Sequence, residues 1–387
     1  METKRYGRWE AFEQIGSGGQ SEVYLARRPE RSEAREESRT RLREYLDRDK
    51  MAEFAQAVWE YARPDRTDEV GALKVFKLRS GGAPAEGRLK TEIAVLAENR
   101  PNLPKLLDAN ESDRWIVTEY FPGKTLFDHP LRFKGQALSA LRAFRTLVET
   151  VAQSLHNDNI VHRDIKPANV FIRQDGRLIP GDFGIVYLPD LGTRQTVLGE
   201  RVGPWEYMPP WADGLGDELE KVEPNFDVYM LGKLLWCMVA GRLRLRREDF
   251  LEPQYDLTKA FPHASDMYVI NSVLEKCLVT RPEACLPSAA ELLQVVDTAI
   301  VQIEQHRPVK DRDGNLILPC IVCGTGFYRE YTKNQAARVQ MLDEYSRPVS
   351  EIRLRPFVCN VCTHEAFFAP GYPEDAAGRG WEPWKVD

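Results

Sequence analysis

The stretch His162-Arg163-Asp164-Ile165-Lys166-Pro167-Ala168-Asn169, followed by Asp182-Phe183-Gly184, constrains this chain more than any other feature. It supplies a proton-accepting carboxylate, a cation two residues on, and two oxygen ligands suited to a hard divalent metal such as magnesium. Those are the parts that moving a phosphoryl group requires, because alignment and charge stabilisation do most of that chemistry. A chain that carries them has to fold so that these side chains converge.

The rest of the sequence bounds the scaffold. A single hydrophobic core rarely organises more than about 250 to 300 residues, so a chain of 387 residues is expected to hold one large domain and one small one. The formal charge of -6, from 53 basic and 59 acidic residues, gives no global attraction to nucleic acid or anionic lipid. Any nucleic-acid contact must then be local. No apolar run approaches the roughly 20 residues of a bilayer span, and Met1 to Glu10 is too polar for a secretory signal. A cytoplasmic protein without membrane contact is expected.

Apolar and polar residues alternate from 10 to 28 around Gly16-Ser17-Gly18-Gly19, which predicts two strands joined by a glycine turn. From about Arg31 to Arg63 the composition changes to dense mixed charge, with Leu42, Tyr45, Met51, Phe54, Val58 and Trp59 at three-four spacing, predicting one or two amphipathic helices. Ala72 to Phe76 and Trp115 to Tyr120 have strand character. Helices are predicted at Arg88 to Glu98, Gln136 to His156, Asp227 to Ala240, Met267 to Val279 and Ser288 to Glu304.

In this order and context the motifs resemble eukaryotic-type serine/threonine protein kinases over residues 6–305, and the economy of the core is compatible with a bacterial or viral source. The resemblance implies an α+β, bilobal protein kinase-like fold with a strand-rich N-lobe, a helical C-lobe and a helical insertion at 27–69. Ile15, Gly16, Ser17, Gly18, Gly19, Gln20, Ser21, Glu22 and Val23 resemble the glycine-rich loop that covers the phosphates of ATP, with Ser21 where the family usually has its third glycine. Lys74 resembles the strand lysine that binds phosphates, with Glu92 as its helix partner and Glu86 as the alternative. Thr118 would stand behind the nucleotide, and Glu119 and Phe121 would offer backbone groups to adenine. Asp164 would accept or orient the substrate's hydroxyl proton, Lys166 would neutralise the transferred group, and Asn169 and Asp182 would hold Mg2+. Lys166 also points to a serine or threonine acceptor on a protein substrate. Asp227 resembles the helix aspartate that braces the catalytic loop, and Arg163 before Asp164 implies regulation by phosphate on Thr193 or Thr196, including autophosphorylation.

Three residues depart from the family pattern. Pro204 replaces a threonine near the substrate, while Trp211 and Leu286 replace the two halves of a buried ion pair. Exchanging both partners for apolar groups can be near neutral, so Trp211 is expected to meet Leu286.

Of seven cysteines, Cys320, Cys323, Cys359 and Cys362 form two CxxC knuckles, a spacing that completes a four-sulfur shell for Zn2+. Residues 314–370 therefore resemble a small zinc ribbon, reached by a linker at 306–313, holding strands and a short helix near Thr332 to Asp343, and followed by an irregular tail at 371–387. His364 is read as a spare ligand. The insertion either decorates its own lobe or docks a protein partner, and the run Arg242 to Arg247 reads mainly as a solvated face. The alternative to an active kinase is a kinase-like scaffold or regulatory binding protein whose zinc tail recruits protein or nucleic acid.

Overall fold

Alternating patterns in the front of the chain build a six-stranded antiparallel sheet. The computed structural model describes residues 4–18, 21–28, 70–77, 83–188, 206–214, 222–246, 249–311, 316–320, 322–323, 326–330, 337–342 and 348–368. Gly19, Gln20, Thr193, Thr196, Pro204, nearly all of the 27–69 insertion, the side chain of Glu86 and the 371–387 tail lie outside the described residues. The chain divides into two compact units, one comprising Met1–His129, Thr146–Met230 and Pro287–Ala290, the other Pro130–Arg145, Leu231–Leu286 and Glu291–Asp387.

In the first unit, β1 (Lys4–Tyr6), β2 (Trp9–Ser17), β3 (Ser21–Arg27), β4 (Val70–Phe76), β5 (Leu106–Asn110) and β6 (Trp115–Glu119) form the sheet in the order β1-β2-β3-β4-β6-β5. Side chains along a strand point alternately to its two faces. On one face Trp9, Ala11, Ala26, Leu73, Trp115 and Val117 bury one another. On the other, Phe76 and Ile116 pack with Leu89 and Ile93 of helix α1 (Ala83–Ala97). Removing such large apolar side chains from water contributes about 1.5–3 kcal/mol each, which fixes α1 against the strand that carries Lys74. A second sheet, β7 (Val170–Ile172) with β8 (Leu178–Pro180), is a hairpin between the two loops singled out by the sequence. The other predicted helices are present along the chain as α2 (Ala137–Ser154), α3 (Asn225–Ala240), α5 (Asp266–Cys277) and α6 (Ala289–Glu304), and α4 (Leu257–Ala260) is a single turn that the sequence pattern did not predict.

In the second unit α5 buries Met267, Ile270, Val273, Leu274 and Cys277 at three-four spacing. The same unit holds the tail strands β9 (Val309–Lys310), β10 (Leu316–Pro319), β11 (Phe327–Glu330), β12 (Ala337–Leu342), β13 (Pro348–Cys359) and β14 (Glu365–Phe368). The stretch read as a linker thus contains β9, which pairs with β10 through Ile317 opposite Val309. A correction concerns Thr332 to Asp343: the expected short helix is β12, paired with β13 from Ala337 opposite Leu354 to Met341 opposite Ser350. Its sequence Ala-Arg-Val-Gln-Met has the period of a strand, and the 12-residue β13 offers an edge for it. Phe327 meets Tyr268 of α5 edge-on, with ring centroids 6.0 Å apart. Among the described residues no helix is long and apolar enough to cross a membrane.

Candidate active site and metal centre

The first unit brings together Lys74, Glu92, Asp164, Lys166, Asn169 and Asp182. Lys74 leaves β4 on the face covered by α1, and its Nζ donates to Glu92 Oε2 at 2.7 Å and to Asp182 Oδ1 at 2.9 Å. Glu92 is therefore the helix partner. Burial alone would pull the Lys74 ammonium down, but Asp182 and Glu92 outweigh it and raise its pKa. Glu92 is raised by burial against the opposing charge of Lys74. Burial also acts to raise Asp182, yet Lys74, then Lys166 and His162, bring it down to about 2. The cluster thus holds an ammonium and an ionised Asp182 side by side at neutral pH.

The two acidic loops are tied to one hairpin. Val170 to Ile172 pairs with Leu178 to Pro180, and the Gly181 N–H donates to Asn169 O at 2.8 Å, so Asn169 and Asp182 emerge side by side from its ends. A Cβ on Gly181 would lie 2.3 Å from the Phe171 ring, so only glycine admits that ring beside the loop. The Phe171 ring in turn stacks on Phe121 at 5.2 Å, which joins the hairpin to the chain just beyond Glu119. Asn169 Nδ2 donates to Asp164 O at 3.0 Å and to Asp164 Oδ2 at 2.7 Å, leaving the amide oxygen as the acceptor it can offer a cation.

Asp164 is buried, and Lys166 Nζ donates to both its oxygens at 2.8 and 2.9 Å. Its pKa is raised, first by burial, with Lys166 opposing and Asp182 adding to the rise. The loop that carries it is braced from below. Asp227, fully buried on α3, accepts from His162 N at 2.7 Å and Arg163 N at 2.8 Å. His156 Nδ1 accepts from Ala289 N at 3.1 Å, so its proton is on Nε2, which donates to Asp227 Oδ2 at 3.1 Å. Burial acts to raise Asp227, but the His156 hydrogen bond and neighbouring charges leave it lowered. Arg163 and Asp182 both sit in the left-handed backbone region, at φ 66° and 62°. Non-glycine residues held there cost about 1–3 kcal/mol each and persist where surroundings over-determine them, which is what this brace does for Arg163.

The glycine-rich segment is described at Ile15 to Gly18 and Ser21 to Val23, at the facing ends of β2 and β3. Thr118 and Glu119 end β6, and Phe121 is buried just after it. The structure adds two contacts that local patterns did not single out, that of His156 with Asp227 and that of Lys77 with Gly18 O outside the acidic cluster. His156 was visible only as the end of a predicted helix, and Lys77 only as a charged residue after a strand. Of the arginine run, Arg242 donates to Gln254 O and Arg246 faces Asp249, in keeping with a surface role.

The four tail cysteines converge as well. The Cys320 and Cys362 sulfurs are 3.7 Å apart, as are those of Cys323 and Cys359, and all four lie within 4.8 Å of one another. The β10–β11 hairpin carries one knuckle and the β13–β14 hairpin the other. Gly326 N donates to Cys323 Sγ at 3.3 Å and Val361 N to Cys359 Sγ at 3.4 Å, donors that stabilise thiolates. His364 is exposed and stands outside the cluster. This group could hold one metal ion.

The model of the protein kinase domain matches residues 56–299. The strand pair with the glycine-rich segment precedes that match. Among curated relatives, dual specificity protein kinase Ttk of Danio rerio is 29% identical over 246 residues, covering 59% of this chain and 24% of its own length. Serine/threonine-protein kinase pkn2 of Myxococcus xanthus is 28% identical over 246 residues, covering 61% and 25%. The carbon catabolite-derepressing protein kinase of Candida albicans is 32% identical over 181 residues, covering 46% and 28%. The chain thus spans about a quarter of the length of these relatives.

Proposed function

The chain belongs to the protein kinase domain family, and from that membership we propose that it transfers the γ-phosphoryl group of ATP, with magnesium, to a serine or threonine hydroxyl of a protein. The observation that carries this reading is Lys74 held between Glu92 and Asp182 beside an intact Asp164, Lys166 and Asn169. Asn169 and Asp182 would hold magnesium, which supplies charge neutralisation at the phosphates. Lys74 binds and orients the phosphates, kept in place by Glu92. Asp164 takes or orients the hydroxyl proton; its raised pKa makes it a better acceptor than an ordinary aspartate. Lys166, already beside Asp164, adds positive charge where the transferred group arrives. Backbone groups of Glu119 and Phe121 receive the adenine.

Full-length protein incubated with Mg-ATP and a generic protein substrate tests this. Transfer to serine or threonine is expected, lost at least about a thousandfold in Asp182→Asn and Asp164→Asn. Undiminished transfer in Asp182→Asn, or label on tyrosine alone, overturns it; the latter matters because one relative is a dual specificity kinase. In a scaffold whose tail recruits protein or nucleic acid, wild type and variants alike would transfer nothing.

Regulation by a phosphate on Thr193 or Thr196 belongs to the same proposal. The charge of Arg88 on α1 acts on buried Arg163, so two guanidinium groups create positive potential near the start of the segment that bears these threonines. Phosphosite mapping after incubation with Mg-ATP decides it, and modification of neither threonine refutes it.

The tail is proposed to be a structural zinc ribbon. Zn–S bonds of about 2.3 Å in a tetrahedron place sulfurs about 3.8 Å apart, close to the observed pair distances of 3.7 Å. Four thiolates with backbone donors and no open position fit a closed, structural site. The kinase domain at 6–305 and the ribbon at 314–370 are the domain limits this reading carries.

A further inference from the structure

We infer that Lys77 is a positioning residue that clamps the glycine-rich loop from its outer face and thereby sets nucleotide affinity, an inference that rests on the proposed ATP site. Lys74 and Lys77 are three residues apart, so they leave β4 and its end on opposite faces. Lys74 faces α1 and the acidic pair Glu92 and Asp182. Lys77 lies on the side of Glu22 and Tyr24, where Glu22 is opposite Val75 in the β3–β4 register. Its Nζ donates to Gly18 O at 3.1 Å and stands 3.4 Å from Glu22 Oε1. Glu22 is held in turn by the Tyr24 hydroxyl, which donates to Oε2 at 2.6 Å. Gly18 N donates to Ser21 O at 2.9 Å. The Gly18 residue is therefore tied at both its backbone groups, inward by Ser21 and outward by Lys77.

This arrangement agrees with the missing third glycine. A loop with Ser21 in that place has less conformational freedom, and a Gly18 already held by Ser21 and Lys77 loses less entropy when a nucleotide arrives. Both Lys77 and Glu22 are 36% exposed, and pairs that wet are weak. The effect should accordingly be several-fold, with no contribution to the chemical step.

The test uses full-length protein and titrates ADP and a non-hydrolysable ATP analogue, alongside hydrogen exchange of residues 16 to 21. Lys77→Met is expected to weaken nucleotide binding and raise KM for ATP about threefold to tenfold, leave kcat within about twofold, and speed exchange in the loop without nucleotide. Lys77→Arg should restore most of the affinity, and Glu22→Gln should fall between. Unchanged affinity with unchanged loop exchange in Lys77→Met overturns the clamp, as does an equal loss in Lys77→Arg. Nucleotide binding without transfer in wild type would sink the kinase reading and leave the clamp measurable; faster loop exchange in Lys77→Met reports it even with no nucleotide bound.

Discussion

Asp227→Asn should be among the most damaging single-atom exchanges in the molecule. The wild-type carboxylate is fully buried and accepts three hydrogen bonds, from Arg163 N on Oδ1 and from His162 N and His156 Nε2 on Oδ2. An amide has one acceptor and one donor end. With its oxygen toward Arg163, the NH2 group faces two donors. With the amide turned round, it faces one. Histidine cannot relieve the conflict by moving its proton, because Nδ1 already accepts from Ala289 N. In the cheaper orientation one buried N–H is orphaned, at about 1–3 kcal/mol, and two charge-assisted bonds become neutral ones, at about 1 kcal/mol each. The sum is about 3–5 kcal/mol, a large part of a typical domain's 5–15 kcal/mol. Urea unfolding of the two proteins measures it. The orphaned group also frees the strained Arg163 peptide at φ 66°, so Asp164 should lose alignment and phosphoryl transfer should fall about a hundredfold. A loss below about 1 kcal/mol with full activity would refute the idea that Asp227 holds the loop.

Other perturbations separate the parts. Lys74→Met strands the buried Glu92 carboxylate and should cost about 3–5 kcal/mol, whereas Lys74→Met with Glu92→Gln should regain most of that stability and none of the activity, as read by melting and transfer assays. Because Asp182 is lowered to about 2, its contribution to stability is present above its ordinary value of 3.8 and is lost as pH falls toward 2; in Lys74→Met that acid-dependent loss should shrink, measured by denaturation against pH. Gly123→Ala places a Cβ 2.2 Å from the carbonyl oxygen of Ile172, a residue whose own N–H donates to Lys124 O, and should destabilise by about 3 kcal/mol or more. Elemental analysis should find one zinc per chain, lost in Cys359→Ser, and a chelator should unfold the tail before the rest as followed by hydrogen exchange.

Much of the clustering in the candidate site was legible because its residues are close in sequence. Asp164, Lys166 and Asn169 share one loop, and apolar spacing placed α2, α3, α5 and α6 to within about two residues. Glu92 was preferred to Glu86 by the apolar set that follows it, and the structure pairs it with Lys74. Features that depend on distant chain segments were not legible. The bond from His156 to Ala289 spans 133 positions, and nothing near His156 marks it. β12 was misread because alternation over five residues is short enough to be taken for one side of a helix, and what decides it is the edge of β13. Lys77 looks like any charged strand end until β3 is laid beside β4.

Trp211 illustrates how a departure from a family pattern can be absorbed. Where the family has a charged residue, this chain has an indole that meets the ring of Tyr229 edge-on, at 5.5 Å and 77°. Tyr229 is fully buried on α3, two residues after Asp227. One turn of that helix therefore holds the Asp164 loop through hydrogen bonds that Asp227 accepts and the Trp211 segment through an aromatic contact with Tyr229. Edge-on ring pairs contribute about 0.5–1.5 kcal/mol beyond their burial, and an apolar contact avoids the desolvation that a buried ion pair must overcome. The exchange keeps the Trp211 segment anchored to the element that positions Asp164 while removing a charge from its surroundings. The registration of this segment with the Asp164 loop thus depends on packing against a helix whose other duty is to hold that loop in place.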